Sequence, residues 1–502
     1  MKILTAEQTR EADVFTIKNE PISSTDLMER AAQTCTDWIT KKYDNKTVFT
    51  IFCGVGNNGG DGLVIARQLI EKAYQVDVLV VEFSAKHSAN FEVNLERLQK
   101  VGLNPVFLSK DMHDVYINKD VVVIDAIFGS GLSKPITGWV ADFIHEINAE
   151  ETTKIAIDVP SGLFTEDNSE NIGKNIIKAD VTLTFQQPKL AFLMPQNFTY
   201  VGEFVVLAIG LQQEFLHQVK SKQVFITKPL VQSIFHTRQK FEHKGNFGHA
   251  LIIAGSKGKM GAEILASKAC LRSGAGLLTV QVPKCGVAIM QTALPEAMCI
   301  ADDEEKFIST LTEIGNFASI GIGPGLGQEQ QTQKVLKLLI QNADKPLVID
   351  ADALNILSEN KTWLAFLPPN SILTPHPKEF ERLVGKWATD EERLTLLQEF
   401  AYKNKLIVVL KGAHTAIACP DEMVFFNSTG NPGMATGGSG DVLTGIVTGL
   451  LAQGYAPKDA AILGVYLHGL AGDIAKENLG EESMIAGDII NYLPMAFGWL
   501  KG

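Results

Sequence analysis

Cysteine is scarce, and its spacing forms no pattern. The six residues, Cys35, Cys53, Cys270, Cys285, Cys299 and Cys419, include no CxxC pair. That excludes a disulfide framework and the usual zinc sites, and it predicts a reducing compartment. Long apolar runs are missing as well, so no membrane span is expected. The opening residues, Met1-Lys2-Ile3-Leu4-Thr5-Ala6-Glu7, turn polar too early for a secretory signal. These absences predict a cytoplasmic protein without a membrane partner. Basic charge does not prevail: 45 Lys and Arg stand against 57 Asp and Glu, a formal net charge of −12. Nucleic acid is therefore not the expected partner. Neither half contains GxxxxGK followed by Ser or Thr, which excludes a Walker-type phosphate loop.

What is present is an ordinary globular composition, 45% hydrophobic and 20% charged over 502 residues. Such a length suggests roughly two to four domains with substantial cores. Glycine carries most of the information. Residues 429–441 read Thr-Gly-Asn-Pro-Gly-Met-Ala-Thr-Gly-Gly-Ser-Gly-Asp, too glycine-rich for the inside of a helix or strand. Val442-Leu443-Thr444-Gly445-Ile446-Val447 then reads as a buried helix. A loop emptying into a helix N-terminus gathers N–H groups and partial positive charge around one centre, which makes an anion cradle. Asp441 closes the loop. A carboxylate there repels phosphates, yet it is placed to take or hold a proton during phosphoryl chemistry. The plain alternative is a surface turn with a helix-capping Asp.

In the first half, residues 5–42 show helical spacing with a break at Pro21. Residues 47–53 read as a buried strand from their β-branched and aromatic content. Gly54, Gly56 and Gly59 satisfy GxGxxG in a strand–turn–helix context, with the helix expected from Leu63. Asp77 and Glu82 flank the next strand, as in a dinucleotide dehydrogenase. Asn57, Asn58 and Asp61 do not belong to that fingerprint. They read as oxygen ligands for a cation or as polar readers of a ligand. Two more strands, 121–124 and 154–157, end in Asp125 and Asp158. Gly129-Ser130-Gly131-Leu132-Ser133-Lys134-Pro135 follows the first and Val159-Pro160-Ser161-Gly162 the second. Open α/β sheets bind ligands at the carboxyl ends of their strands, so these three ends define one site. A turn or cap is the alternative for each Asp taken singly. Asn58, Asp125 and Ser161 offer only oxygen, which suits a hard cation such as potassium or magnesium and not zinc.

The polar stretch 212–223 reads as a linker. Strand–helix alternation then resumes, with strands around 248–255, 275–282, 318–322, 346–350 and 406–410 and a small-residue helix over 261–269. This predicts a second, mostly parallel α/β/α sheet. Its strand ends again carry glycine and polar groups. They include the glycines of 321–327, His376 between two prolines, and Lys411-Gly412-Ala413-His414-Thr415. Asp350 and Asp352 read equally as helix caps or as site residues. His376 and Lys411 each read as a site group or as an ordinary turn residue.

Asn57-Asn58-Gly59-Gly60-Asp61-Gly62-Leu63-Val64, the Asp125 to Gly131 segment and Asp158-Val159-Pro160-Ser161-Gly162 resemble the NAD(P)H-hydrate epimerase family. The apolipoprotein A-I binding protein domain is similar. The resemblance spans roughly residues 1–215 and takes in Gln187-Pro188-Lys189-Leu190 and Gly202-Glu203. It implies that Asn58, Asp125 and Ser161 hold potassium. It further implies that Asn57, Asn58, Gly59, Gly60, Asp61, the 129–135 loop and Asp158 contact a hydrated nicotinamide dinucleotide. Asp158 is the candidate for proton transfer.

In the second half, Gly437-Gly438-Ser439-Gly440-Asp441 opening a helix resembles the anion hole and carboxylate of ribokinase-like enzymes. Further motifs resemble ADP-dependent NAD(P)H-hydrate dehydratase over about 223–502. These are His243-Lys244-Gly245-Asn246, Arg272-Ser273-Gly274-Ala275, Thr374-Pro375-His376, Lys411-Gly412-Ala413-His414-Thr415 and Gly430-Asn431-Pro432-Gly433. The resemblance implies that an adenine nucleotide, ADP or ATP with Mg2+, meets Lys411, Gly412, Ala413, His414 and Thr415. The same nucleotide would meet Asn431, Gly433, Met434, Ala435, Thr436, Gly437, Gly438, Ser439 and Gly440. Ala262, Gly325, His376 and Asp441 would lie along the hydrated dinucleotide, and a homo-oligomer is expected.

Two three-layer α/β/α domains follow from these patterns, Rossmann-like over 1–222 and ribokinase-like over 223–502. The function they imply is bifunctional repair: epimerising hydrated NADH or NADPH, and dehydrating its S form with ADP or ATP. Two rivals stand beside it. One is a ribokinase-like vitamin or sugar kinase fused to a dehydrogenase. The other makes the first domain a non-catalytic binding module.

Overall fold

The structure is a computed structural model that describes residues 1–113 and 115–501. Its chain divides into two compact units, one of Lys2–Ser221 and one running from Lys222 onward together with Met1.

The first unit is built on strands β1 (Val48–Gly54), β2 (Gln75–Val81), β3 (Val106–Leu108), β4 (Val121–Ala126), β5 (Thr153–Ile157), β6 (Val181–Phe185) and β7 (Glu203–Leu207). They pair in parallel in the order β3-β2-β1-β4-β5-β6-β7. Side chains along a strand alternate between faces. Phe49, Ile51 and Cys53 of β1 therefore pack with Leu63, Ile65 and Phe91 of the helices on one face. Phe52 packs with Phe143 and Ile144 on the other. Apolar faces covered on both sides make this a three-layer unit, and the order reverses between β1 and β4, which opens a crevice at their carboxyl ends.

The helix after β1 does not begin at Leu63, as the glycine content suggested. It runs Asn57–Glu71 and takes the whole Asn-Asn-Gly-Gly-Asp segment into its first turns. The reason is close packing. A Cβ on Gly59 would stand 1.6 Å from the carbonyl oxygen of Gly54. The glycine lets the helix lie on the strand end rather than form a loop. The polar stretch 212–223 is also more ordered than a linker. It holds a short helix, Gln213–Gln218, and its end enters the strand Gln223–Phe225 of the second unit.

The second unit carries ten strands: β8 (Gln223–Phe225), β9 (His249–Ile253), β10 (Leu277–Val282), β11 (Met298–Ala301), β12 (Ser319–Ile322), β13 (Leu347–Ile349), β14 (Ile372–Leu373), β15 (Ile407–Leu410), β16 (Ala416–Ala418) and β17 (Val424–Phe426). Their order is β11-β10-β9-β12-β13-β14-β15-β16-β17-β8. The sheet is parallel from β11 to β15; β16 runs antiparallel to both its neighbours, and β8 parallel to β17. Val348, Ile372, Ile407 and Val409 pack under Val442, Leu443 and Ile446 of the helix Ser439–Ala452. Their neighbours Leu347, Ile349, Leu373 and Val408 are buried too and point to the opposite face. Among the described residues no helix is long and apolar enough to cross a membrane.

Candidate active sites

The first site forms where β1, β4 and β5 end. Asp125 is the last but one residue of β4 and is almost wholly buried. Its Oδ2 accepts the Ser161 N–H at 2.7 Å, and its Oδ1 accepts the Ser161 hydroxyl at 2.5 Å. The Ser161 hydroxyl in turn accepts the Phe128 N–H at 2.8 Å. Asn58 is buried in the first turn of its helix beside Gly129, and its Nδ2 has no partner. The structure thus brings Asn58, Asp125 and Ser161 to one sheet end. Burial pushes the Asp125 carboxyl up to about 6, against its bonds to Ser161 and Ile127. Asn57 is exposed at the helix start, while Gly59, Gly60 and Asp61 are buried behind it.

Asp158 follows β5 with φ +63, a left-handed backbone. Its Oδ2 accepts the Ser130 N–H at 3.3 Å, which ties the 129–135 loop to it. Its Oδ1 meets Lys189 Nζ at 2.9 Å. Burial pulls Asp158 up, but Lys189 and these bonds prevail and hold it below the usual carboxylate range. Two more acids respond to its charge. Asp13, from the helix Ala6–Asn19, is pushed up to about 6 by burial and then by Asp158. Asp61 is pushed well up by burial, Asp158 and Asp13. Asp13 and the pairing of Lys189 went unread in the sequence. Asp13 looks like any polar residue on a surface helix, and nothing in the spacing of Gln187-Pro188-Lys189-Leu190 pairs Lys189 with Asp158.

The second unit has a cavity of about 530 Å3 at the carboxyl ends of its parallel strands. Ala262, Leu265 and Lys259 come from beyond β9, Gly325 from beyond β12, Ala351, Asp352 and Asn355 from beyond β13. Glu379, Gly437, Gly438 and Asp441 complete it. Gly438 caps the helix Ser439–Ala452 with φ +96, which a side chain rarely tolerates. The first helical bond runs from the Val442 N–H to the Gly438 carbonyl at 3.1 Å, so the Gly440 and Asp441 amides precede the ladder. Asp441 sits in that first turn. Burial pushes its carboxyl up to about 6, helped by Asp350 and Asp352 and opposed by Lys411.

Ala262, Gly325 and Asp441 line the cavity, whereas His376 does not. His376 caps the helix Pro377–Val384: its Nδ1 accepts the N–H groups of Lys378 and Glu379 at 3.1 and 3.3 Å. The ring proton therefore sits on Nε2, and the helix it starts carries Glu379 to the cavity wall. Burial and then the Lys411 charge hold its pKa low. Asp350 and Asp352 do not cap the helix Ala351–Glu359 as one reading allowed. Asp350 makes no cap bond, and Asp352 accepts the Gly327 N–H at 2.9 Å and faces Lys259 at 3.4 Å.

Residues 411–415 and 431–436 lie outside the cavity lining. The Thr415 hydroxyl donates to the Gly412 carbonyl at 3.0 Å, and the His414 Nδ1 lies 3.1 Å from the Asn427 carbonyl. Asp473 braces the glycine loop through the Gly430 N–H and the Asn431 Nδ2, both at 2.9 Å. Ser439 Oγ donates to the Met434 carbonyl at 2.8 Å.

A Rossmann-like unit with an acid-rich sheet end, joined in one chain to a ribokinase-like unit with a glycine cradle, defines a two-site α/β enzyme. Residues 24–191 match the family described as YjeF-related protein N-terminus, and residues 250–495 match NAD(P)H-hydrate dehydratase. The bifunctional NAD(P)H-hydrate repair enzyme of Moorella thermoacetica is 37% identical over 98% of this chain and 96% of its own. The enzyme of the same description from Escherichia coli is 33% identical, over 93% of this chain and 88% of its own. An ADP/ATP-dependent NAD(P)H-hydrate dehydratase from Bacillus subtilis, crystallised with ATP/Mg2+, is 32% identical, with a TM-score of 0.48 over 55% of this chain and 98% of that one. The chain belongs to the family of bifunctional NAD(P)H-hydrate repair enzymes.

Proposed function

We propose that the first unit interconverts the R and S forms of NADH or NADPH hydrated across C5–C6 of the nicotinamide ring, and that the second dehydrates the S form using ADP or ATP. The observation that carries the dehydratase half is Asp441, at a glycine-capped helix start and on the wall of the cavity. Hydroxide leaves poorly. Asp441 takes the proton of the C6 hydroxyl while that oxygen bonds to the terminal phosphorus of the nucleotide, and the phosphoanhydride bond breaks. Phosphate then leaves C6 with its bonding pair, C5 gives its proton to water, and the C–H pair becomes the C5–C6 double bond. The Gly440 and Asp441 amides, with the helix end, stabilise charge on the transferred group. Magnesium would come with the nucleotide phosphates, since it keeps several waters and takes few protein ligands.

In the first unit Asp158 is the proton-transfer group and Asn58, Asp125 and Ser161 hold potassium. The donor set supports this reading. It combines a carboxylate, a hydroxyl and a buried amide whose orphaned nitrogen gives way to its oxygen when the group turns over. The 57–61 and 129–135 segments border this site and would take the dinucleotide. A homo-oligomer in the cytoplasm is the expected form.

The test is to supply mixed R and S hydrates with ADP or ATP and follow reduced-nicotinamide absorbance. Full and rapid return is expected. Consumption that stalls with the R form left over removes the epimerase role, and a stable phosphoester product makes the second unit a kinase.

A further inference from the structure

Lys411, just beyond β15, stands among carboxylates. Its Nζ lies 2.9 Å from Asp350 Oδ1 and 3.9 Å from Glu379 Oε2. It also lies 3.3 Å from where a Cβ on Gly440 would stand, against the helix start that carries Asp441. Asp350 is fixed on its other side, for its Oδ2 accepts the Thr444 hydroxyl at 2.7 Å. Its side chain is 1% exposed and does not line the cavity. Burying a charge this deeply is unfavourable unless the geometry compensates. No contact with the cavity accounts for it, since Asp350 is not among the lining residues.

The distribution of charges around Asp441 does. Asp350 and Asp352 face it from the end of β13 and the helix that follows, Lys411 from β15, Glu263 from the helix Met260–Arg272 and Glu379 from the helix Pro377–Val384. Lys259 stands on the same wall. Each of the two lysines has its own carboxylate, Lys259 at 3.4 Å from Asp352 and Lys411 at 2.9 Å from Asp350. Asp441 forms no ion pair among the described residues.

We propose that Asp350 is a positioning residue for dehydration: it holds the Lys411 ammonium to itself, so that the carboxylate at the helix start stays unpaired and able to accept a proton. This rests on Asp441 being the base. A carboxylate paired with a lysine is a poor base, because a cation within about 4–6 Å lowers its pKa by roughly 1–3 units. Left unpaired and half-buried, Asp441 is pushed up to about 6 and is ionised yet still basic at neutral pH. Lys411 meanwhile keeps its charge: burial pulls it down, but Asp350, Glu379 and Asp441 outweigh that.

The experiment is the pH profile of kcat/KM for pure S hydrate on the full chain, with ADP affinity measured by calorimetry on the same preparations. Asp350→Asn frees Lys411 to turn to Asp441. The acid limb, near pH 6 in the native enzyme, should move down by about 1 unit, and the plateau kcat should fall. Thr444→Val keeps both charges but unties Asp350 Oδ2, and should move the limb the same way by less. It decides the matter if Asp350→Asn no longer binds ADP. Limbs that stay in place or move up in folded, ADP-binding variants overturn the proposal. Asp441→Asn separates the two levels. If that variant dehydrates at a near-native rate, the base assignment itself fails. If it is crippled while the Asp350→Asn limb stays put, only the role of Asp350 fails.

Discussion

Lys189 Nζ lies 2.9 Å from Asp158 Oδ1, and both side chains are nearly sealed from solvent, 4% and 10% exposed. Asp158 also holds a left-handed φ of +63, which costs an L-residue about 1 kcal/mol. Ser130 and Phe185 N–H groups bond the same carboxylate at 3.3 and 3.4 Å. The lysine keeps Asp158 ionised in a place where burial alone would favour the neutral acid.

Lys189→Met should therefore raise the Asp158 pKa and slow epimerisation. A depressed pKa means the carboxylate persists to low pH, and without the lysine it is lost as pH falls through a higher value. The acid limb of the epimerisation profile should rise by about 1–3 pH units, and Lys189→Arg should restore part of it. Dehydration of pure S hydrate should not change. An unmoved limb in a variant that still epimerises would remove Asp158 from the proton path.

Asp125→Ala should weaken potassium binding and epimerisation together, leaving dehydration of pure S hydrate intact. Epimerisation of the native enzyme should depend on potassium concentration, and the variant should lose that dependence. Equal losses in both activities would point to misfolding rather than to a cation site.

Asp441→Asn keeps the shape of the side chain and removes the base. Dehydration should fall by about 10²–10⁴-fold, the usual worth of a positioned general base. ADP affinity should hold or tighten slightly, because a negative charge beside the phosphates is gone. In the native enzyme dehydration should decline as pH drops below about 6, where Asp441 becomes protonated. Single-epimer turnover and calorimetry on one preparation check all of this, and near-native turnover would leave Asp441 a helix residue without chemistry.

Glu263 should affect stability. It is fully buried, its Oε1 accepts the Ser267 hydroxyl at 2.6 Å and its Oε2 has no partner. Burial raises its pKa from 4.5 to about 8. The neutral acid is at home there, so its stabilising share is complete below the unfolded value and lost as pH rises through the folded one. Glu263→Gln, always neutral, should raise stability at pH 7.5 by on the order of 3 kcal/mol and flatten its fall between pH 5 and 8. Denaturant titrations across that range measure it. An unchanged pH dependence would show that Glu263 is ionised in the native protein.

The sequence by itself determined much of this protein. Continuous apolar strands, ending in glycine or acid, were enough for two mostly parallel α/β sheets covered on both faces, because that pattern is local and its packing consequence general. The glycine loop before Val442 likewise announced a helix start with Asp441 in its first turn. Tertiary structure decided what each charge does. Glycines 59 and 60 looked like loop and became helix, since the strand behind them leaves no room for a side chain at Gly59. His376 read as a site group or a turn residue, and the fold uses its Nδ1 to cap a helix. Asp350 and Lys411 lie just beyond the ends of different strands, 61 residues apart, and only the sheet order brings them to 2.9 Å. Asp13 reaches the charge of Asp158 from a helix near the chain start. Partners so distant in sequence leave no spacing to read, for an ion pair depends on where strands end in space and not on how many residues separate them.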